Sequence, residues 1–191
     1  MWTGNRHNGM MSEQTKKVEV FSETELRKLI IDVPNFPKEG VTFRDITPLL
    51  RLHWSFWLAI DQMSMPYLDQ DIDLVAGIES RGFLFSPIAL KLNAGFVPIR
   101  KEGKLPRQRS GLSYNLEYGA AGIEIHKDAV SFGQRVLIVD DVLATGGTAK
   151  AAIDLVKSLG GIVVAAQFLI ELTDLKGSEK LTVPVKSVLQ Y

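Results

Sequence analysis

Val136–Lys150 reads VLIVDDVLATGGTAK. Its first four residues, Val136 to Val139, are aliphatic without a polar alternation, which is the pattern of a strand buried on both faces. Two adjacent carboxylates, Asp140 and Asp141, follow the run. Then comes a loop of small residues, Ala144, Thr145, Gly146, Gly147 and Thr148, and a helical stretch to about Leu159. Gly160 and Gly161 stand where glycines commonly end helices.

The same kind of unit recurs outward from this stretch. Leu74–Ile78 (LVAGI), Phe96–Ile99 and Ile162–Ile170 are further apolar runs, and Gly82–Leu92 reads as helical between the first two. Apolar runs alternating with helices predict an α/β fold with an open, mostly parallel twisted sheet flanked by helices. Nearer the N-terminus, Ser22 and Glu25 have capping-box spacing, and Leu26, Leu29 and Ile30 form a helical stripe ending at Ile31. Pro34 and Pro37 stop that helix. Asn35–Leu50 reads as a proline-punctuated loop, and Arg51–Leu68 as a helical segment that packs the core. Residues 1–17 are polar and read as a disordered extension; residues 18–191 read as a single domain.

Composition narrows the function classes. The 191 residues carry 22 basic and 22 acidic side chains, a formal net charge of zero. That balance argues against a nucleic-acid or membrane-surface partner, which requires a positive field. There is no cysteine, so thiolate metal sites, disulfides and a cysteine nucleophile are excluded. No apolar run approaches the ~18 residues of a membrane span. His7, His53 and His126 lack metal-ligand spacing and read as structural or exposed.

The segment after Val139 is where chemistry concentrates. In open α/β sheets, ligands bind beyond the carboxyl ends of strands. A helix N-terminus offers unpaired N–H groups and partial positive charge, and glycines let that backbone close around a phosphate. The acidic pair repels a phosphate; it fits the hydroxyls of an attached sugar, or a divalent cation with oxygen ligands. The stretch has neither the GxxxxGK[ST] of a nucleotide P-loop nor the GxGxxG of a dinucleotide site. A second feature is Arg100–Arg109, RKEGKLPRQR, with five basic residues and one acidic. Such a run is ordinarily a solvated face.

The string DDVLATGGTA resembles the phosphoribosyl-diphosphate loop of type I phosphoribosyltransferases. FRDITPLL (Phe43–Leu50), AGIESRGFLF (Ala76–Phe85), FVPIRKEGKLP (Phe96–Pro106), LEYG (Leu116–Gly119) and IELTDLKGSEKL (Ile170–Leu181) resemble, in order, the adenine branch of that family. The resemblance runs from about Val20 to Tyr191. It implies transfer of 5-phosphoribose from 5-phosphoribosyl 1-diphosphate to N9 of adenine, giving AMP and pyrophosphate in purine salvage. It also implies a small N-terminal hood over residues 18–50, a flexible catalytic loop, a cytoplasmic homodimer, and Mg²⁺ carried by the donor without an assigned protein ligand.

Site residues carry over position by position. Ala144, Thr145, Gly146, Gly147 and Thr148 resemble the 5′-phosphate cradle, and Asp140 and Asp141 the pair facing the ribose. Those two carboxylates would also stabilise an oxocarbenium-like transition state. Ser80 and Arg81 resemble the pyrophosphate turn, in which the Glu79–Ser80 peptide is a candidate cis bond. Lys101 and Lys104 resemble phosphate or pyrophosphate contacts, whereas Arg107 and Arg109 lie in a variable stretch. Glu117 resembles the carboxylate that handles the adenine proton, and Tyr118 a residue packed near the reacting centre. Thr42, Phe43 and Arg44 resemble the adenine pocket, with Phe43 stacking and the backbone at Thr42 reading the base edge. Two positions depart from the family pattern: Glu39 stands where relatives often have proline, and Thr42 where they often have an aliphatic residue. The competing readings are another nucleobase phosphoribosyltransferase and a non-catalytic regulator that binds the diphosphate donor.

Overall fold

Side chains along Leu74–Ile78 (β3) and Arg135–Leu143 (β7) alternate between two separate cores. Val75, Leu137 and Val139 enter one, with Ala59, Met63, Phe85 and Ile88. Ala76, Ile78, Val136 and Ile138 enter the other, with Ala152, Ile153 and Val156. Successive strand residues point to opposite faces, so an unbroken apolar run requires a covered sheet on both sides. This computed structural model describes residues 22–116 and 119–191.

In chain order the elements are α1 (Glu23–Lys28), β1 (Ile31–Val33), β2 (Phe43–Asp45), α2 (Thr47–Arg51), α3 (His53–Ser64), β3, α4 (Pro87–Lys91), β4 (Gly95–Lys101), β5 (Arg109–Leu116), β6 (Gly119–His126), β7, α5 (Gly147–Ser158), β8 (Ile162–Glu171) and β9 (Val185–Gln190). β1 and β2 pair antiparallel apart from the rest. The other seven strands form one sheet in the order β5-β6-β4-β3-β7-β8-β9. The pairs β4–β3, β3–β7, β7–β8 and β8–β9 are parallel. The β5–β6 hairpin joins that block antiparallel to β4. This is the α/β sheet that the apolar runs predict. From β3 the chain passes to β4 on one side and later returns to β7 on the other. β3 and β7 therefore flank a topological switch point, whose carboxyl end is the ligand crevice of open α/β sheets.

Several local expectations differ. The first helix ends at Lys28, and Ile31 belongs to β1. Asn35–Leu50 is not one loop but holds β2 and the start of α2, elements too short for periodicity to reveal. Gly82–Leu92 is divided into a 3₁₀ segment, Arg81–Phe85, and a helix starting at Pro87, which lacks the N–H a continuous helix would need there. Beyond Arg109, β5 and β6 form a hairpin paired from Arg109↔His126 to Leu116↔Gly119. Among the described residues no helix is long and apolar enough to cross a membrane.

Candidate active site

α5 begins at Gly147, with Gly146 as its N-cap at φ 79°. That left-handed backbone favours glycine, and the first turn holds no acidic side chain to compete for its N–H groups. They open on a pocket of about 100 Å³ lined by Asp140, Ala144, Thr145, Gly146, Gly147 and Thr148, among others. The cradle residues found by motif are thus together. Behind them lies a second backbone that the motif does not include. A Cβ on Gly146 would collide with the Gly177 carbonyl, and a Cβ on Gly177 with the Ala144 carbonyl. Gly177, from the KGSEKL string, is the wall on which the cradle rests.

Asp140 and Asp141 stand at the carboxyl end of β7. The backbone N–H of Asp141 donates to Asp140 Oδ1 at 2.9 Å. Arg81 Nε lies 2.9 Å from Asp141 Oδ2, but no hydrogen bond reaches that buried oxygen. Burial and then repulsion from Asp141 push the Asp140 carboxyl well above its ordinary pKa. Burial raises Asp141 as well, with Arg81 opposing it. The pair is short of positive charge. A sugar ring turning cationic, or its hydroxyl donors, would meet that need. No group of three or more His, Cys, Asp or Glu side chains among the described residues forms a metal cage. The two carboxylates instead fit a Mg²⁺ that keeps its waters and enters on a ligand's oxygens.

The turn after β3 approaches this pair directly. A Cβ on Gly82 would lie 2.8 Å from the Val139 carbonyl oxygen and 3.1 Å from Asp140 Oδ1, so glycine is what lets the turn close on β7. The Glu79–Ser80 peptide is cis. Arg81 extends from the turn with its guanidinium 4.9 Å from the Phe43 ring centroid. It therefore spans from the acidic pair to the β1–β2 region. Phe43 also meets Phe36 edge-on, with centroids 5.3 Å apart. Phe36 had no sequence signal beyond its place in a loop. Thr42 is exposed beside Phe43. The Arg44 guanidinium goes elsewhere: it pairs with Asp32 and lies 4.2 Å from the Tyr191 ring centroid.

The basic stretch separates into two classes. Arg100 pairs with Glu79, Arg107 with Asp128, and Arg109 with Glu124. Lys101 and Lys104 are exposed and form no salt bridge with a described residue. Of the five cations, Lys101 and Lys104 are the two without an ion pair to a described residue. Glu79 ties this stretch to the cis turn. It accepts from Arg100 Nε and from the Lys101 backbone N–H, each at 3.0 Å. The hydrogen bond from Arg100 and the nearby cations outweigh burial and hold its carboxyl below the ordinary pKa.

A glycine-lined helix N-terminus and an acidic pair stand at one sheet end, with two lysines nearby that form no salt bridge with a described residue. Residues 58–187 match the family model described as phosphoribosyl transferase domain. The adenine phosphoribosyltransferase of Halothermothrix orenii is 58% identical over 158 residues, covering 82% of this chain and 93% of that protein. The crystal structure of the Rhodothermus marinus adenine phosphoribosyltransferase superposes with a TM-score of 0.85 at 52% identity, covering 88% of this chain and 98% of that one. The Saccharomyces cerevisiae enzyme, complexed with an imino-altritol bisphosphate and adenine, gives a TM-score of 0.83 at 43% identity, over 87% and 98% of the two chains.

This chain belongs to the adenine phosphoribosyltransferase family.

Within that family frame, the cradle, the acidic pair, Ser80–Arg81 and Phe43 converge on the β3–β7 crevice. Arg44 contributes its side chain to the Asp32–Tyr191 cluster. Glu117 and Tyr118 lie outside the described residues, as do residues 1–17. Sequence reasoning passed over Gly177 and Phe36 as functional residues. KGSEKL was a usable signal for the first; the second had none.

Proposed function

We propose that the β3–β7 crevice transfers 5-phosphoribose from 5-phosphoribosyl 1-diphosphate to N9 of adenine, forming AMP and pyrophosphate. The observation that carries this reading is the junction of the α5 cradle with a buried, under-compensated acidic pair. A phosphate held by Ala144–Thr148 places an attached ribose over Asp140 and Asp141. Their carboxylates accept from the ribose hydroxyls and oppose the charge that develops at C1′.

The electrons then balance simply. The C1′–oxygen bond breaks and its pair leaves on pyrophosphate. The N9 lone pair closes the new bond to C1′, and the N9 proton passes to Glu117, by analogy with the family carboxylate. Tyr118 packs beside that centre. Ser80, Arg81, Lys101 and Lys104 take the charge of the leaving group, Arg81 by a bidentate grip that lysine cannot reproduce. Arg81 lies against Asp141 and Phe43. Its move to the diphosphate leaves the acidic pair uncompensated beside C1′ and frees the Phe43 face for the purine. Thr42 and Arg44 would then serve through their main chains, because the Arg44 guanidinium is already paired. Asp140 and Asp141 would be the residues to meet a Mg²⁺ carried by the donor, which would neutralise diphosphate charge when bound. The reading includes residues 18–191 as one domain with a hood over 18–50, and a cytoplasmic homodimer in purine salvage.

Pyrophosphate release should be measured with adenine, hypoxanthine, guanine and xanthine as acceptors. Adenine should exceed each oxopurine by about a hundredfold, because an edge built for a 6-amino group leaves polar atoms unpaired against a 6-oxo group. Preference for an oxopurine would reassign the base. Donor binding without pyrophosphate release would make the chain a regulator.

A further inference from the structure

Glu124, on β6, lies opposite Arg100 across the short β4–β6 ladder. It is only 2% exposed, unusual for a carboxylate. Its Oε1 accepts from the Leu105 backbone N–H at 2.7 Å. The backbone amides of Gly103 and Lys104 lie close enough to favour its charged form. Its Oε2 lies 2.6 Å from Arg109 Nε. The turn thus wraps its backbone around one anion, bonded to it at Leu105. Gly103 permits the curl with φ 81°, and the Lys104 N–H to Lys101 carbonyl bond at 3.2 Å closes the turn.

Successive N–H groups in such a turn form a concave anion site. Here the protein supplies the anion itself. The Leu105 amide is spent on Glu124 and the Lys104 amide on the Lys101 carbonyl, and the exposed groups of the turn include the two ammonium groups, Lys101 and Lys104. We infer that Glu124 is a positioning residue for transfer: its carboxylate is the internal template that folds the Gly103–Leu105 turn and so aims Lys101 and Lys104 at the diphosphate. This rests on the proposed diphosphate role of those lysines. Burial by itself would raise the Glu124 carboxyl, but the three amides and the Arg109 charge outweigh it and hold its pKa below the ordinary value. The template is accordingly charged at neutral pH. A neutral amide of the same size would keep one acceptor oxygen, lose the charge that draws in the turn, and release Arg109.

The test compares Glu124→Gln with wild type in three titrations: inorganic pyrophosphate, AMP and adenine. Pyrophosphate affinity and donor KM should worsen about tenfold, the order expected when a binding group is misplaced rather than removed. AMP has no diphosphate, so its affinity, like the adenine KM, should stay within about twofold. Glu124→Asp keeps the charge but retracts it by one methylene, so it should give a smaller loss with the same selectivity; it carries the test if Glu124→Gln does not fold. Equal losses for AMP and pyrophosphate, or no loss for either ligand, would overturn the inference. Lys101→Ala with Lys104→Ala separates the two levels. If that double variant binds pyrophosphate like wild type, the reading of the lysines is wrong. If it binds weakly while both Glu124 variants bind normally, only the template role is wrong.

Discussion

The two anion sites proposed above are built in opposite ways. At the start of α5 the backbone meets the ligand, and space is the critical resource: Gly146 and Gly177 touch where neither could carry a Cβ. At the turn after β4 the Leu105 amide is taken by Glu124, and a bound anion would meet side chains. The first site should fail when volume is added. The second should fail when charge is removed. A motif search detects the first kind because its glycines are contiguous, and overlooks the second because its organising residue sits on another strand.

The residues between the two sites should break the comparison hardest. Asp140→Asn with Asp141→Asn should lower kcat by about 10²–10³, as loss of fixed transition-state electrostatics does. AMP should still bind through its phosphate. Near-normal turnover in single-turnover assays would make the acidic pair peripheral.

Adding volume to the first site comes next. Gly177→Ala should weaken AMP binding at least about tenfold by displacing the cradle backbone, while adenosine, which has no phosphate, should lose much less. Calorimetric titration of both ligands reads the ratio. If Gly177→Ala keeps the wild-type preference for AMP, the wall does not shape the cradle. Glu124→Gln should leave that ratio unchanged, which separates the two sites.

The smallest effect is on stability, with opposite signs at the two ends. The folded state raises the Asp140 and Asp141 pKa values through burial. Their favourable contribution is complete below the unfolded aspartate value and is lost as pH rises through the folded values. The doubly amidated variant cannot ionise there, so it should melt a few degrees above wild type near pH 8, with the gap closing toward about pH 4. Glu79 and Glu124 have lowered values. Their contribution is present above the unfolded glutamate value and is lost as pH falls through the folded one. Acid should therefore loosen the basic turn before the cradle, and amide exchange at Gly103–Leu105 below about pH 4 should rise ahead of exchange at Gly146–Thr148. Simultaneous loosening would mean the two sites share one stabilising network.

Legibility followed chain locality. The parallel block was readable because each buried strand is an unbroken apolar run, as in Val136–Val139. β5 and β6 were not, because glycine and polar residues carry the hairpin and its stability lies in pairing across the turn. β2 and α2 are too short for any period to show. Arg44 illustrates a different gap. Its place beside Phe43 suggested a base contact, yet the side chain is claimed by Asp32 and by Tyr191 at the far end of the sequence.

The α/β class, the cradle and the acidic pair were determined by sequence alone, since each depends on residues within one short segment obeying local backbone rules. Tertiary structure decided which cations pair with described residues, which glycine supports the cradle, and which carboxylate organises the basic turn. Those outcomes depend on close approach between distant segments, where tenths of an ångström and the exclusion of water set the sign of the interaction.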